Sequence, residues 1–451
     1  MGFEKKNVIN IGKPGNKRRI MKLVNKGYYI IFHEEISLEV QSFLKNLLFV
    51  GIATVLSTLC ISIFNVMGGR WLGPEEYGKF VLIQSIAMFI YIPMELGFNT
   101  AMLKYTSEKI DYQRQSNIII TTLLFSLALT AVSIIIYRLI AYPLSHLFAI
   151  SINLLYLTEI FAALFVFYSL TTSALRGLNR MRAYSVFQIV YGFIILLSFL
   201  GFIFSRQLSY KTMIYPVLLA YVTIVILIML FFIRKLAKWK FDVTIFRMLG
   251  KYSVFSALGG LSYTFYTNID RIMISRYLTI GDVGIYAAYY TASINVAGLF
   301  WGMFNMVYFP TISGYKNKGP VFQKINRIIP YLICLGIPFV FICEVVVLKF
   351  YGTKYSLNIA LMLYFSIASI LIVIDGLYAW LLQAIGLLGA KITSFTAILV
   401  ALVNTGFNFI LIPKFGITGA INSLVLSYVI SIMMKLGLGR NYLKKGTDQQ
   451  I

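Results

Sequence analysis

Acid is scarce in this chain: 16 Asp and Glu face 40 Lys and Arg over 451 residues, a formal net charge of +24. Its two histidines, His33 and His146, lie far apart and share no metal-site spacing. The three cysteines, Cys60, Cys334 and Cys343, all fall inside apolar segments, which speaks against a disulfide framework and against a zinc motif. No Asn-x-Ser/Thr sequon occurs. The first forty residues lack an apolar core ahead of a small-residue cleavage site, so we expect no cleavable signal peptide and read the first apolar span as an uncleaved insertion signal. Charged residues make up only 12% of the chain, about half the share of a soluble domain.

In place of charge the chain has long apolar runs. Hydrophobic residues reach 59% and the mean hydropathy is +0.81. Twelve segments are each about long enough to span a bilayer. They run Leu44–Met67, Lys79–Asn99, Asn117–Tyr137, Ile150–Thr172, Ala183–Phe204, Thr212–Ile233, Ser253–Arg271, Gly284–Phe309, Ile328–Phe350, Asn358–Leu382, Ile392–Ile412 and Gly416–Lys435. The seventh is amphipathic, because it holds Tyr263, Tyr266, Asn268 and Asp270. The longest connections on one side are Arg234–Tyr252 and Thr311–Arg327, too short for a folded catalytic domain outside the membrane.

A charge of +24 raises the question of nucleic acid, and the distribution argues against it. Assigned to alternate sides of the twelve spans, 30 of the 40 Lys and Arg fall on the side of the N-terminus and 10 on the other. This is the positive-inside bias, and it predicts both termini in the cytoplasm of a protein of the inner (cytoplasmic) cell membrane. The basic N-terminal extension, 1–43, is expected to touch anionic lipid headgroups or to lie as a solvated tail.

A repeat sets the architecture. Arg70-Trp71-Leu72-Gly73-Pro74-Glu75-Glu76-Tyr77-Gly78 returns loosely as Arg276-Tyr277-Leu278-Thr279-Ile280-Gly281-Asp282-Val283-Gly284, an offset of 206 residues. Asn99 and Asn305 keep that offset, and Leu175-Arg176-Gly177-Leu178 echoes Leu382-Gln383-Ala384-Ile385 at 207. Six spans per repeat give the two halves the same orientation, related by an axis along the membrane normal. The expected fold is therefore an all-α integral membrane protein of about twelve transmembrane helices in two pseudo-symmetric six-helix bundles. Residues 44–240 form the first bundle, 241–437 the second, and 438–451 a cytoplasmic tail.

Most of the motif is turn and cap chemistry. Pro74 suits a first helical turn, Glu75 and Glu76 complement the positive helix end, and Glu75 precedes Lys79 by four. Thr279 and Asp282 have capping-box spacing. Arg70 and Arg276 are not needed for the turn; they either snorkel to the interface or face a central cavity.

Acids at hydrophobic depth are Glu95, Glu159, Asp270, Glu344 and Asp375. A charge there costs about 2.5–3.5 kcal/mol on insertion scales, and none has a Lys or Arg at three or four residues along its own helix. Each must find a partner on another helix, in water or in a substrate. Glu95, Asp270 and Asp375 are the candidates for coupling to a proton or sodium gradient. Arg70, Arg271, Arg276, Lys104 and Arg176 are the candidate cations for an anionic substrate; Lys104 and Arg176 also fit the ordinary positive-inside role.

At this point the chain resembles the polysaccharide or lipid-linked oligosaccharide flippases, O-antigen flippases among them, of the multidrug/oligosaccharidyl-lipid/polysaccharide exporter superfamily. The resemblance rests on Gly69 to Gly78, on Asn268-Ile269-Asp270-Arg271-Ile272-Met273-Ile274 with Val283-Gly284-Ile285-Tyr286, and on Pro413-Lys414-Phe415-Gly416-Ile417-Thr418-Gly419-Ala420. The basic extension departs from that pattern. The resemblance implies a central cationic cavity, alternating access, and passage of a polyprenyl-(pyro)phosphate-linked glycan from the cytoplasmic to the outer leaflet for surface polysaccharide biosynthesis. It implies membrane lipids, a glycan polymerase and glycosyltransferases as partners, and neither cofactor, metal nor catalytic role.

Three other readings compete. A drug/cation antiporter of the same superfamily would use an acid early in the first bundle, and span Leu44–Met67 has none. A membrane glycan polymerase or ligase would carry a large outer loop, and none of that length occurs. A non-transporting scaffold of a glycan-assembly complex is the third.

Overall fold

The structure, a computed structural model, describes residues 38–108, 111–148, 150–203, 208–233, 241–314 and 318–445. Residues 1–37 of the basic extension and 446–451 of the tail lie outside the described residues.

The first half contains α1 (Leu38–Leu72), α2 (Pro74–Glu95), a short α3 (Phe98–Ser107), α4 (Tyr112–Phe148), α5 (Ile152–Gly177), α6 (Met181–Ile203) and α7 (Tyr210–Ile233). The second half contains α8 (Val243–Tyr277), then α9 (Ile280–Tyr290), which continues through a π-helical turn, Thr291–Asn295, into α10 (Val296–Gly314). It ends with α11 (Gly319–Tyr351), α12 (Ile359–Gln383), α13 (Leu387–Phe415) and α14 (Ile417–Lys445). Among the described residues there is no strand. A bilayer explains this: backbone donors and acceptors must be satisfied within each segment, and a helix does so alone.

Among the described residues ten helices are long and apolar enough to cross a membrane, so the protein is a multi-pass membrane protein. The other two expected spans are present as helix of a different kind. Ser253–Arg271 lies inside α8, whose polar residues lower its hydropathy, and Gly284–Phe309 is interrupted by the π-helical turn. The two long connections are shorter than expected. Helix α8 already begins at Val243, capped by Asp242 through the amides of Thr244 and Ile245, and α10 and α11 consume most of Thr311–Arg327.

The turns expected of the motif form. Gly73 takes φ +83°, and Pro74 opens α2. Lys79 sits 3.1 Å from Glu75 and within hydrogen-bonding reach of Glu76, whose other oxygen accepts the amide of Tyr210 at 2.7 Å. Thr279 and Asp282 make the reciprocal capping box that starts α9.

The halves meet most closely where the two motif copies lie, here termed the motif end. Helices α2 and α9 pack backbone to backbone: a Cβ built on Gly78 would stand 2.0 Å from the Ile280 carbonyl oxygen, and one on Gly284 would stand 2.0 Å from that of Pro74. The two clashes exchange under the 206-residue offset, so the seam has the twofold character of the repeat. Beside it α1 meets α11. The hydroxyls of Tyr77 and Tyr351 are 3.2 Å apart, and Tyr355 donates to the Gly69 carbonyl at 3.1 Å. Burial pushes the Tyr355 hydroxyl well above its ordinary pKa, so it stays a donor. At the opposite end α8 crosses α3 and α4 on one flank, where Phe246 packs on Phe98 and Phe125 and Tyr252 meets Tyr105.

Candidate functional site

Glu159, Asp270, Glu344 and Asp375 find partners across helices, as their isolation along the sequence requires. Arg138 of α4 binds Glu159 of α5 through Nε at 3.2 Å to both carboxylate oxygens. Lys435 of α14 binds Asp375 of α12 at 2.6 Å, and Ser431 donates to the same oxygen at 2.6 Å. Asp375 is thus neutralised locally by a buried lysine. Glu344 accepts from Ser366 at 2.9 Å, while its Oε2 has no partner among the described residues.

Asp270 and Glu95 have no such cation. Asp270, buried on α8, accepts the Tyr286 hydroxyl at 2.7 Å and the amide of Asn408, which in turn bonds Asn404 one turn away on α13. Asn408 Oδ1 and Asn404 Nδ2 are buried without partners among the described residues. One carboxylate accepting from a tyrosine hydroxyl and an asparagine amide, with a second asparagine behind, is a polar cluster with unspent hydrogen-bonding capacity. Tyr286 belongs to the motif that carries the family resemblance, whereas Asn404 and Asn408 were not among the expected residues; the Asn pair four apart in an apolar span is the signal that reveals them. Glu95 ends α2 where Leu96 and Gly97 take left-handed φ of 47° and 74°, and its Oε1 is buried and unpartnered. Tyr91 and Asn99, one turn to either side, join Ser169 of α5 in a network with bonds of 3.0–3.1 Å.

The five expected cations occupy separate places. Arg271 lies on α8 with its guanidinium 4.7 Å from the ring centre of Tyr290, Nη1 donating to Asn268 Oδ1 at 3.2 Å and to the Thr267 carbonyl at 3.3 Å. Its Nε is buried and unpartnered, and no described carboxylate forms an ion pair with it. Arg176, at the far end of α5, donates to Ser173 and covers Tyr184, its Nε also unpartnered. Lys104 sits over Tyr252 at 4.3 Å where α3 meets α8. Arg70 and Arg276 are exposed at the motif end; Arg70 donates to the Phe350 carbonyl at 3.3 Å.

Helix α10 presents a polar, open face. Asn295, in the π-helical turn just before α10, is exposed, Gly298 and Gly302 have nothing within 4 Å of a built Cβ, and Asn305 Oδ1 is buried with no partner among the described residues. Amides facing hydrocarbon are costly, so this stripe is suited to water or a polar ligand rather than to lipid. The closed motif end, the open α10 face and the unpaired Arg271 form the candidate site.

Two pseudo-symmetric helical halves, packed together at the motif end, make up the fold. Solved structures agree on the fold. The inward-facing conformation of a multidrug resistance MATE family transporter of the MOP superfamily matches with a TM-score of 0.66 at 14% identity, over 88% of this chain and 100% of that one. The lipid II flippase MurJ, in an inward closed conformation, matches with 0.64 at 15% identity, over 89% and 90%. A MOP superfamily transporter from Pyrococcus furiosus matches with 0.56 at 16% identity, over 90% and 97%. The family follows from sequence: a family model described as polysaccharide biosynthesis protein matches residues 43–316, and the chain belongs to that family. None of the curated proteins matches the sequence.

Proposed function

We propose that this protein flips a polyprenyl-(pyro)phosphate-linked oligosaccharide from the cytoplasmic to the outer leaflet of the cell membrane, with both termini cytoplasmic and the motif end outside. The observation that carries the reading is Arg271: an arginine at membrane depth beside the seam of the two halves, stacked on Tyr290 and unmatched by any described carboxylate. A guanidinium at that depth needs an anion to offset its desolvation, and planar two-point donation suits phosphate oxygens. The polar α10 face replaces water around the sugars while the prenyl chain stays in lipid. The family assignment and the fold shared with a lipid II flippase support this substrate class. In this reading the protein makes and breaks no covalent bond. It works beside a glycan polymerase and glycosyltransferases that make and extend the cargo.

The test is glycan-lipid flipping in proteoliposomes, with protein abundance matched. Arg271→Ala is expected to lower the rate about 10- to 100-fold, the worth of a charge-assisted bond, and Arg271→Lys to lower it less. Wild-type rates in Arg271→Ala overturn the reading.

The Asp270 cluster favours an added feature, coupling to a proton or sodium gradient. Its carboxylate is buried beside unsatisfied amide atoms and forms no ion pair among the described residues. Transport indifferent to both imposed gradients removes the coupling and leaves the flippase reading intact.

A further inference from the structure

Only 10 of the 40 Lys and Arg fall on the motif side, and three of them converge on one cavity of about 610 Å³. Arg70 reaches it from the end of α1 in the first half; Lys349 and Lys354 reach it from the last turn of α11 and the turn that follows, in the second half. No acid lines it, and none of the three cations forms an ion pair among the described residues. Arg70 spends Nη1 on the Phe350 carbonyl, which leaves its other guanidinium donors available. Lys354 lies against Gly73, so the cavity is bridged across the halves a second time. Tyr351 and Tyr355, both buried, make a fixed floor through their bonds to Tyr77 and Gly69. Neither Arg271 nor Asp270 belongs to this lining.

Three cations within one cavity repel one another, and on this side they also run against the positive-inside bias. An anion relieves both costs. A cavity of 610 Å³ exceeds what one phosphate group fills and falls within the range of small-molecule sites. We propose that this cavity binds a phosphate-bearing anion, a lipid phosphate headgroup or a free diphosphate, and that the anion holds the motif end closed. Arg70 supplies the planar fork and the two lysines supply point charges. Because the cations come from both halves, the site is complete only while α1 and α11 touch. A ligand that binds only that arrangement stabilises it by mass action. The proposal does not depend on which molecule the protein transports.

The test measures binding and closure with the full chain, not glycan export. Thermal unfolding and pulsed-EPR distances between labels at Leu208→Cys and Ile359→Cys, neither of which lines the cavity, are followed with three probes. These are inorganic phosphate, pyrophosphate, and nanodiscs of phosphatidylglycerol against phosphatidylcholine. Stabilisation and a larger closed fraction with the soluble anions identify a free phosphate site; the same response confined to phosphatidylglycerol identifies a lipid headgroup site. Either response should weaken at least about tenfold in the Lys349→Gln/Lys354→Gln variant and survive within about threefold in Lys349→Arg/Lys354→Arg, which keeps the charge. An unchanged response in the Gln variant, or no response to any probe, overturns the proposal.

Discussion

Closure of the motif end depends on two hydrogen atoms standing where side chains would otherwise be. A Cβ on Gly78 would lie 2.0 Å from the Ile280 oxygen and 3.0 Å from the Gly284 nitrogen, and one on Gly284 would lie 2.0 Å from the Pro74 oxygen. Carbon and carbonyl oxygen rest at about 3.3 Å or more, so one methyl drives α2 and α9 apart by roughly 1.3 Å. These clashes are with backbone, which cannot rotate away. Overpacking of this kind costs about 1–3 kcal/mol, and here the cost falls on the closed arrangement alone, since separated helices accommodate the methyl freely. At about 1.4 kcal/mol per decade the closed population should fall by roughly 5- to 150-fold relative to the open one. The assay is the Leu208–Ile359 label distance, with both positions exposed and in opposite halves. Wild type should show mainly the short distance, and Gly78→Ala and Gly284→Ala should each shift it longer by similar amounts. Their effects should not add, because both act on one seam. Gly201→Ala, with nothing within 4 Å, serves as the silent control. Short distances in both seam variants would refute the reasoning.

Other outcomes follow from the cross-helix partners. Lys435→Met should destabilise the protein by about 3–5 kcal/mol in reversible unfolding, because Asp375 is left charged and nearly buried; adding Asp375→Asn should recover most of the loss. Asp270→Asn should abolish gradient dependence of transport in vesicles while the seam distance stays short, and a persisting gradient response would assign coupling elsewhere. Tyr355→Phe should cost about 0.5–1.5 kcal/mol by freeing the Gly69 carbonyl at the seam, read as a modest fall in the closed fraction.

Features with a short range along the chain were legible before any coordinates. Pro74, Glu75, Lys79, Thr279 and Asp282 act within one helical turn, and each is found in the expected cap or pair. The isolation of the acids was legible as well, since a missing Lys or Arg at three or four residues is a statement about one helix. The identity of their partners was not: Arg138 and Glu159 are 21 residues apart, Lys435 and Asp375 are 60 apart, and Asn408 is 138 from Asp270. Those spacings follow from which helices touch, and a uniformly apolar helix surface records little of that.

Composition, span periodicity, charge asymmetry and the 206-residue repeat by themselves determined an all-helical, duplicated membrane protein, because a bilayer imposes length, hydropathy and backbone satisfaction on every segment in turn. Only the tertiary structure decided what the repeat is for. Seen along the chain, Gly78 and Gly284 are matching positions in two separate copies of the motif. In space each leaves room for the other copy's carbonyl, so the duplicated motif is also the closure between the halves. The same packing separated Arg70, joined to Lys349 and Lys354 at the motif end, from Arg271 on Tyr290. Side-chain charge is written in the sequence, but whether two charges share a cavity depends on helix packing, which this sequence specifies through shape and not through any local pattern.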